Sequence, residues 1–340
     1  SSLLSLCADC KKCEEFCPVG IKTGELLLRL KNLEGPSLRE KTLSRLFLGN
    51  EFIRPAAGVL SLLQKAWRED DRLKGLPGRW ARGKSFPALN PKRPVPAEGK
   101  KGPKIYLFEG CLVRLFFPRI RDSAAKTLSA LDFNVVTPAE QACCGAPSRH
   151  LGDEKGLKRL IAANLASFAK ESPDYILTVC PAGHSMLKNT YPELDPGASR
   201  WISRIRSFTE FLVSQGLAGD LQRKNPKKRG DVFYHHPCHY VNELGLEEEP
   251  PKLLKTLGYS PRHEGKPYAC CGFCGMFSFR NPEISARLWE KKKASIQAYG
   301  PSLIVTDCPG CVFQLTASLG GEGAAPIVLH TAEACAETIE

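Results

Sequence analysis

The chain has 340 residues, 42% apolar and 25% charged, which is enough to bury two or three cores and unlike a disordered polymer. No apolar run approaches the roughly 20 residues that cross a bilayer, and the opening SSLLSLCADC has neither the basic start nor the long apolar stretch of a secretory signal. The net charge of +12 suits an acidic partner or an anionic surface, whereas the aromatic-interleaved and helix-turn-helix patterns of nucleic-acid binders do not occur.

From the N-terminus, the first strong signal is CADCKKCEEFCP, with Cys7, Cys10, Cys13 and Cys17 followed by Pro18. This C-x2-C-x2-C-x3-C-P spacing is the bacterial ferredoxin run, in which closely spaced thiolates wrap a 4Fe–4S cubane. Zinc prefers paired C-x2-C knuckles or Cys/His mixtures. In two-cluster ferredoxins the fourth cysteine serves the other cluster, so Cys17 is expected to reach a site completed by a motif upstream of Ser1. Apolar residues at helical spacing in TGELLLRLKNLE, EKTLSRLF and AAGVLSLLQKAW predict a helical region over residues 1–71. The last of these, with Trp67, is expected to pack on its own domain, with a surface anchor on a membrane as the alternative.

Residues 72–104 hold six prolines, five glycines and ten basic residues against one acid, and are expected to form a linker or an extended strap, since prolines and glycines punctuate any helix or strand there. Residues 1–103 carry 20 Lys/Arg and 11 Asp/Glu, so +9 of the +12 lies in the first third.

The rest of the chain is a sequence written twice. Cys111 and Cys238 are 127 residues apart, as are Cys143 and Cys270, and Cys144 and Cys271; Cys180 and Cys308 differ by 128. Strand patterns KIYLFEGC and DVFYHHPC, helix patterns PRIRDSAAKTLSAL and EEPPKLLKTL, and strands FNVVTP and YSPRHE occupy equivalent places. Long helices follow both Cys-Cys-Gly turns, as EKGLKRLIAANLASFAK and NPEISARLWEKKKASIQAY. Buried strands DYILTVC and SLIVTDC then each deliver a cysteine. The expected fold class is α/β, with a domain at 105–225 and its copy at 226–340, each built on a largely parallel sheet. Ligands collect beyond the carboxyl ends of such strands, where these cysteines fall.

Fifteen cysteines, an odd number set in tight groups within a long chain, point to metal ligation in a reducing compartment rather than a disulfide framework. The second repeat carries Cys238, Cys270, Cys271, Cys308 and Cys311 as C-x31-CC-x36-C-x2-C. The first carries Cys111, Cys143, Cys144 and Cys180, but TVCPAGH has Gly183 where TDCPGCV has Cys311. Four thiolates suffice for an ordinary cubane. The first repeat is therefore expected to hold a 4Fe–4S cubane, against a fold without a cluster or a cluster with a replacement ligand. Cys335 is expected to be a buried bystander, and so is Cys274, with a spare ligand or a redox-active thiol as the alternative for Cys274. His235, His236 and His239, clustered in HHPCH around Cys238, are candidates for hydrogen bonds to cluster sulfur or for proton relay, against ordinary satisfied histidines. His150 and His184 carry a weaker case for a role.

ACCGFCG and DCPGC, with the five-cysteine spacing, resemble the cysteine-rich CCG domain of heterodisulfide reductase. That resemblance implies a non-cubane 4Fe–4S cluster on the five cysteines of the second repeat. A ferredoxin region, a basic strap and two CCG domains in this order, with EGC at 109–111, CCGAPSRHLGDEKGL at 143–157 and CCGFCGMF at 270–277, are similar to the iron–sulfur subunit of glycolate oxidase. Anaerobic glycerol-3-phosphate dehydrogenase offers a looser likeness, in its corresponding component. The likeness to the glycolate oxidase protein spans essentially the whole chain and implies an electron relay without catalytic residues of its own. An FAD-containing dehydrogenase subunit would oxidise a 2-hydroxy acid such as glycolate or lactate, and a quinone or other membrane-associated acceptor would receive the electrons. It also implies a cytoplasmic location, with peripheral contact at the cytoplasmic face of the membrane. The alternative is direct reduction of a disulfide at the non-cubane cluster. No G-x-G-x-x-G opens a helix after a strand, so no nucleotide site is expected in this chain.

Overall fold

A computed structural model describes residues 3–38, 64, 68–69, 72–73, 86–90, 101–266, 268–319 and 325–339. The helix expected on TGELLLRLKNLE is α1, Thr23–Glu34. Those expected on EKTLSRLF and AAGVLSLLQKAW, including Trp67 but not Gln64, lie outside the described residues.

Short strands fall within residues 72–104, the segment expected as a linker or extended strap. Arg68–Glu69, Arg72–Leu73 and Phe86–Pro87 form a small antiparallel sheet in that order. Pro87 sits on an edge strand, where a missing N–H breaks no ladder. The Gln64 side chain fastens this strap, donating to Leu89 O at 2.8 Å and accepting from Leu89 N at 2.8 Å.

The two repeats fold alike. The first contains β1 (Lys104–Phe108), α2 (Gly110–Phe116), α3 (Pro118–Ala130), β2 (Asn134–Val136), α4 (Ala146–Leu151), α5 (Glu154–Glu171), β3 (Tyr175–Thr178), α6 (Pro181–Ser185), β4 (Ile205–Ser207) and α7 (Phe208–Ser214). Its sheet runs β2-β1-β3-β4, all parallel. The second contains β5 (Gly230–Tyr234), α8 (Glu249–Thr256), β6 (Tyr259–Arg262), α9 (Pro282–Tyr299), β7 (Leu303–Thr306), α10 (Pro309–Leu319), β8 (Ile327–His330) and α11 (Thr331–Ala336). Its sheet runs β6-β5-β7-β8, again all parallel and in the same topological order. Residues Ile105 to Phe108 of β1 are all buried, as a strand covered by helices on both faces requires. The sequence patterns located three strands per repeat; β4 and β8 complete the sheets.

Reciprocal packing joins the repeats. Helix α11, which follows the last strand of the second repeat, lies on α3 of the first, and α7, which follows the last strand of the first, lies on α8 of the second. Ile105, Leu107, Leu177 and Phe211 consequently share one apolar core with Val232, Phe233, Ile304, Val305 and Ala332. Polar contacts cross the same boundary. His330 accepts from Ala332 N at 3.0 Å through Nδ1 and caps α11, leaving its Nε2–H to donate to Val179 O at 2.9 Å. Buried Asp307 accepts from Thr209 of the first repeat and, at 2.7 Å each, from Tyr234 and Thr331 of the second. That carboxylate, removed from water, is matched by three hydroxyl donors.

The N-terminal region rests on both repeats. Asn242 Nδ2 donates to Cys10 O at 2.7 Å and Asn281 Nδ2 to Ser5 O at 2.9 Å, while α1 packs on α4. Lys31 of α1 donates to Cys7 O at 3.3 Å. No described helix is long and apolar enough to cross a membrane.

His150 of α4 is buried, and burial together with Lys31 lowers its pKa to about 4. Unfolding returns the imidazole to about 6.5. Between those values the unfolded chain binds a proton that the folded chain does not, so stability falls as the pH drops through this window. The loss is about 3 kcal/mol at about 1.4 kcal/mol per unit. Thermal unfolding at pH 7 and pH 4.5 should show a smaller acid loss in His150→Leu than in the parent; equal losses would contradict the burial of a neutral imidazole.

Candidate metal centre

The central pair of strands in each sheet, β1 with β3 and β5 with β7, sends its chains away in opposite directions at the carboxyl end, which opens a crevice there. Cys111 lies in the first turn of α2 just beyond β1, and Cys180 lies just beyond β3. Cys238 and Cys308 take the same places beyond β5 and β7. The Cys-Cys pairs come from the loops after β2 and β6, so three chain segments meet in each repeat.

Each Cys-Cys loop is held by its following long helix. Asn164 of α5 accepts from Ala142 N at 2.8 Å and donates to Cys143 O at 3.0 Å and to Tyr191 OH at 2.8 Å. Tyr191 OH in turn donates to Cys144 O at 3.1 Å. In the second repeat Glu264 accepts from Ala269 N at 3.1 Å and pairs with buried Lys292 of α9, which anchors the approach to Cys270. The glycine after each pair is required by its backbone. Gly145 and Gly272 have φ of +90° and +87°, and a Cβ on Gly272 would stand 2.6 Å from Ser285 O.

All fifteen cysteines are free thiols. In the second repeat Cys271 Sγ lies 3.4 Å from Cys311 Sγ, and Cys270 Sγ lies 3.5 Å from Cys274 Sγ. Cys270 also hydrogen-bonds Cys238, and Cys308 hydrogen-bonds both Cys311 and Cys180. The last contact crosses from one repeat to the other. In the first repeat Cys143 hydrogen-bonds Cys111 and Cys144. At the N-terminal motif, Cys10 is influenced by Cys270 as well as by Cys7 and Cys13. Cys17 accepts from Ile21 N at 3.2 Å.

Crowding divides these thiols into two kinds. Hydrogen bonds from Cys238, Cys271 and Cys274 hold Cys270 well below the usual thiol range, and bonds from Cys180 and Cys311 do the same for Cys308. Their neighbours are pushed up: Cys238 by its bond to Cys270 and then burial, Cys180 by its bond to Cys308 and then burial, and Cys311 by its bonds to Cys271 and Cys308. So many thiols share so little charge because adjacent thiolates repel unless a cation lies among them. A bound cation would let them all ionise, and soft sulfur donors in this number select iron–sulfur groups. The donor set therefore fits iron and sulfide.

The three histidines of HHPCH separate. His239 Nδ1 lies 3.7 Å from Cys238 Sγ. His236 stacks on the Tyr268 ring at 4.1 Å, and burial with nearby His263 lowers its pKa to about 4. His235 has a ring nitrogen within 4.8 Å of both Cys271 Sγ and Cys311 Sγ, and all three residues are buried. His184 hydrogen-bonds Thr178 Oγ1 at 3.2 Å, and its pKa is lowered to about 3, mainly by burial and then by Lys188 and Arg206. Cys335, on α11 itself, is wholly buried. Cys274 adjoins Cys270 with a φ of +44°, a left-handed conformation uncommon for a residue bearing Cβ. Spacing gave no hint of that placement, because Pro147 occupies the matching site of the first repeat.

Comparison with known proteins agrees with the repeat. The cysteine-rich domain called CCG matches residues 105–188 and again 232–316. The probable glycolate oxidase iron-sulfur subunit of Bacillus subtilis (strain 168) is 29% identical over 94% of this chain and 78% of its own length. Lactate utilization protein A 2 of Bacillus cereus (strain AH820) is 31% identical over 69% of this chain and 98% of its own. Lactate utilization protein A of Exiguobacterium sp. (strain ATCC BAA-1283 / AT1b) is 29% identical over 70% and 99%.

Two substitutions examine the site. A Cβ on Gly183 would lie 3.7 Å from Cys180 Cβ and 4.0 Å from Cys144 Cβ, both ordinary contacts. Gly183→Cys is therefore expected to fold with stability within about 1 kcal/mol of the parent and to alter the electron paramagnetic resonance spectrum of the iron-loaded chain; an unaltered spectrum would contradict the placement of residue 183 among the donors. Asn164→Leu strands a buried N–H and a buried carbonyl, and should lower stability to denaturant by about 3 kcal/mol and reduce bound iron. A fully stable, fully loaded variant would show that Asn164 does not hold the loop.

Proposed function

From the premise that the chain belongs to the family of CCG cysteine-rich proteins that includes the lactate utilization A proteins, we propose that it is an iron–sulfur electron-transfer subunit. In this reading a separate FAD-containing dehydrogenase oxidises a 2-hydroxy acid of the glycolate or lactate type, and a quinone or another acceptor takes the electrons from this chain. Bound clusters supply one-electron oxidation and reduction. The observation that carries the reading is the unbroken succession of thiols. Cys10 of the N-terminal motif faces Cys270 and Cys238, Cys271 meets Cys311, Cys308 meets Cys180, and Cys180 lies close enough to Cys111 to influence it.

The residues divide by role. Cys7, Cys10 and Cys13 would hold a cubane, with Cys17 directed to a further site. Cys238, Cys270, Cys271, Cys308 and Cys311 would hold a cluster of the non-cubane type. Cys111, Cys143, Cys144 and Cys180 would hold an ordinary one. Burial of Cys271 and Cys311 excludes water and supports carriage of electrons over entry of a disulfide substrate. His239 beside Cys238 would donate a hydrogen bond to sulfur. The N-terminal motif faces outward: Cys13 is exposed, with Phe16, Val19 and Ile21 exposed beside it. This exposed apolar patch suits docking of a partner or a membrane face; residues 1–38 around it carry five basic and five acidic side chains, and the +9 of the first third lies in residues 39–103. A cytoplasmic location goes with this reading.

Anaerobic copurification tests it. A flavin-containing partner that bleaches the chain's visible absorption on addition of glycolate or lactate is expected. Disulfide reduction by the isolated chain, with no response to any such partner, would overturn the relay.

A further inference from the structure

The two repeats provide an internal comparison at three positions. Counting by the repeat spacing, His235, Cys271 and Cys311 of the second repeat correspond to Phe108, Cys144 and Gly183 of the first. The fold brings these positions together in both. In the first, a Cβ on Gly183 would lie 3.9 Å from Phe108 Cε1 and 4.0 Å from Cys144 Cβ. In the second, a ring nitrogen of His235 and the sulfurs of Cys271 and Cys311 all lie within 4.8 Å of one another. Two of three positions thus change together. Where one repeat has a fifth thiol it also has an imidazole, and where the thiol is missing a phenyl ring takes the imidazole's place.

Packing alone does not call for a histidine here, since Phe108 fills the equivalent space fully buried. His235 is buried too, and its Nδ1 finds no hydrogen-bond partner among the described residues. An orphaned buried polar atom is destabilising, a penalty that a bound metal would remove. The backbone fixes the residue firmly: His235 N donates to Val305 O at 2.9 Å, and His235 O accepts from Thr306 Oγ1 at 2.9 Å. A neutral imidazole held beside two thiols is a metal-ligand set of mixed nitrogen and sulfur type.

We propose that His235 is a direct nitrogen ligand to iron in the second repeat, at the place where Cys271 and Cys311 supply sulfur. The inference rests on the reading that the second repeat's cysteines bind iron and sulfide. It goes further, because it gives one thiolate-rich site a neutral ligand that its copy lacks. Replacing anionic sulfur by neutral imidazole lessens negative charge at the metal and raises the reduction potential, as two histidines do in Rieske centres.

The test uses the full chain, loaded anaerobically with iron and sulfide, reduced, and examined by pulsed electron paramagnetic resonance with and without 15N-histidine. A strong nitrogen coupling of the directly bound kind is expected, converted to the 15N pattern by the label. It should vanish in His235→Phe, which installs the residue of the first repeat, and persist in His239→Gln. His235→Cys serves as the second variant: it should keep its iron, lose the coupling and titrate at a lower potential. An iron-loaded parent without bound nitrogen, or a coupling that survives His235→Phe in a chain with parental thermal stability, overturns the assignment. Iron and sulfide content unchanged by Cys271→Ser overturns the underlying reading instead, and this inference with it.

Discussion

Each repeat lends the helix that follows its last strand to the other, α11 to α3 and α7 to α8, and this exchange sets the position of every thiol between them. A parallel sheet by itself only collects loops at its carboxyl edge. Two such sheets, locked through a common apolar core and through Asp307 and His330, bring Cys180 against Cys308. The N-terminal motif then settles across the junction, tied by Asn242, Asn281 and Lys31 to main-chain carbonyls rather than to side chains. Carbonyl anchors fix the path of the motif loop and leave its thiols available to metal.

Burial at this junction has an electrostatic consequence. Thiols packed at 3.4 and 3.5 Å cannot all ionise side by side, so hydrogen bonds from neighbouring sulfurs favour the thiolate at Cys270 and Cys308 and the thiol on the sulfurs around them. Metal uptake must displace those protons, which couples loading to pH and favours it as pH rises. The same enclosure that disfavours free thiolates would shield a bound cluster from water, which suits a site that passes electrons and makes no bonds to substrate.

Much of this was legible in the residues because duplication supplies its own control. Offsets of 127 and 128 residues identified the equivalent cysteines, and the strands and helices assigned around them recur in both sheets. What escaped was short or non-local. Strand β4 has three residues, too few to show a period, and β8 lies near the chain's end with Ile327 exposed. The small strands at Leu73 and Phe86 are hidden in a segment rich in prolines and glycines, because pairing there depends on the main chain. The meeting of Cys180 with Cys308 and of Cys10 with Cys270 depends on how the repeats dock, which no local pattern encodes. Cys274 looked like a bystander by spacing, yet the turn after Cys271 returns it to Cys270. His235 was one of three clustered histidines, and only tertiary structure separates it from His236, which turns to Tyr268.

The central claim is that three cysteine motifs distant in sequence form one continuous metal-binding zone. Electron paramagnetic resonance of the fully loaded, progressively reduced chain addresses it most directly. Signals broadened by mutual spin coupling, and simplified when Cys308→Ser removes the link between the repeats, are the expected result. Independent, unbroadened signals at every stage of reduction, or a colourless chain carrying zinc, would contradict it.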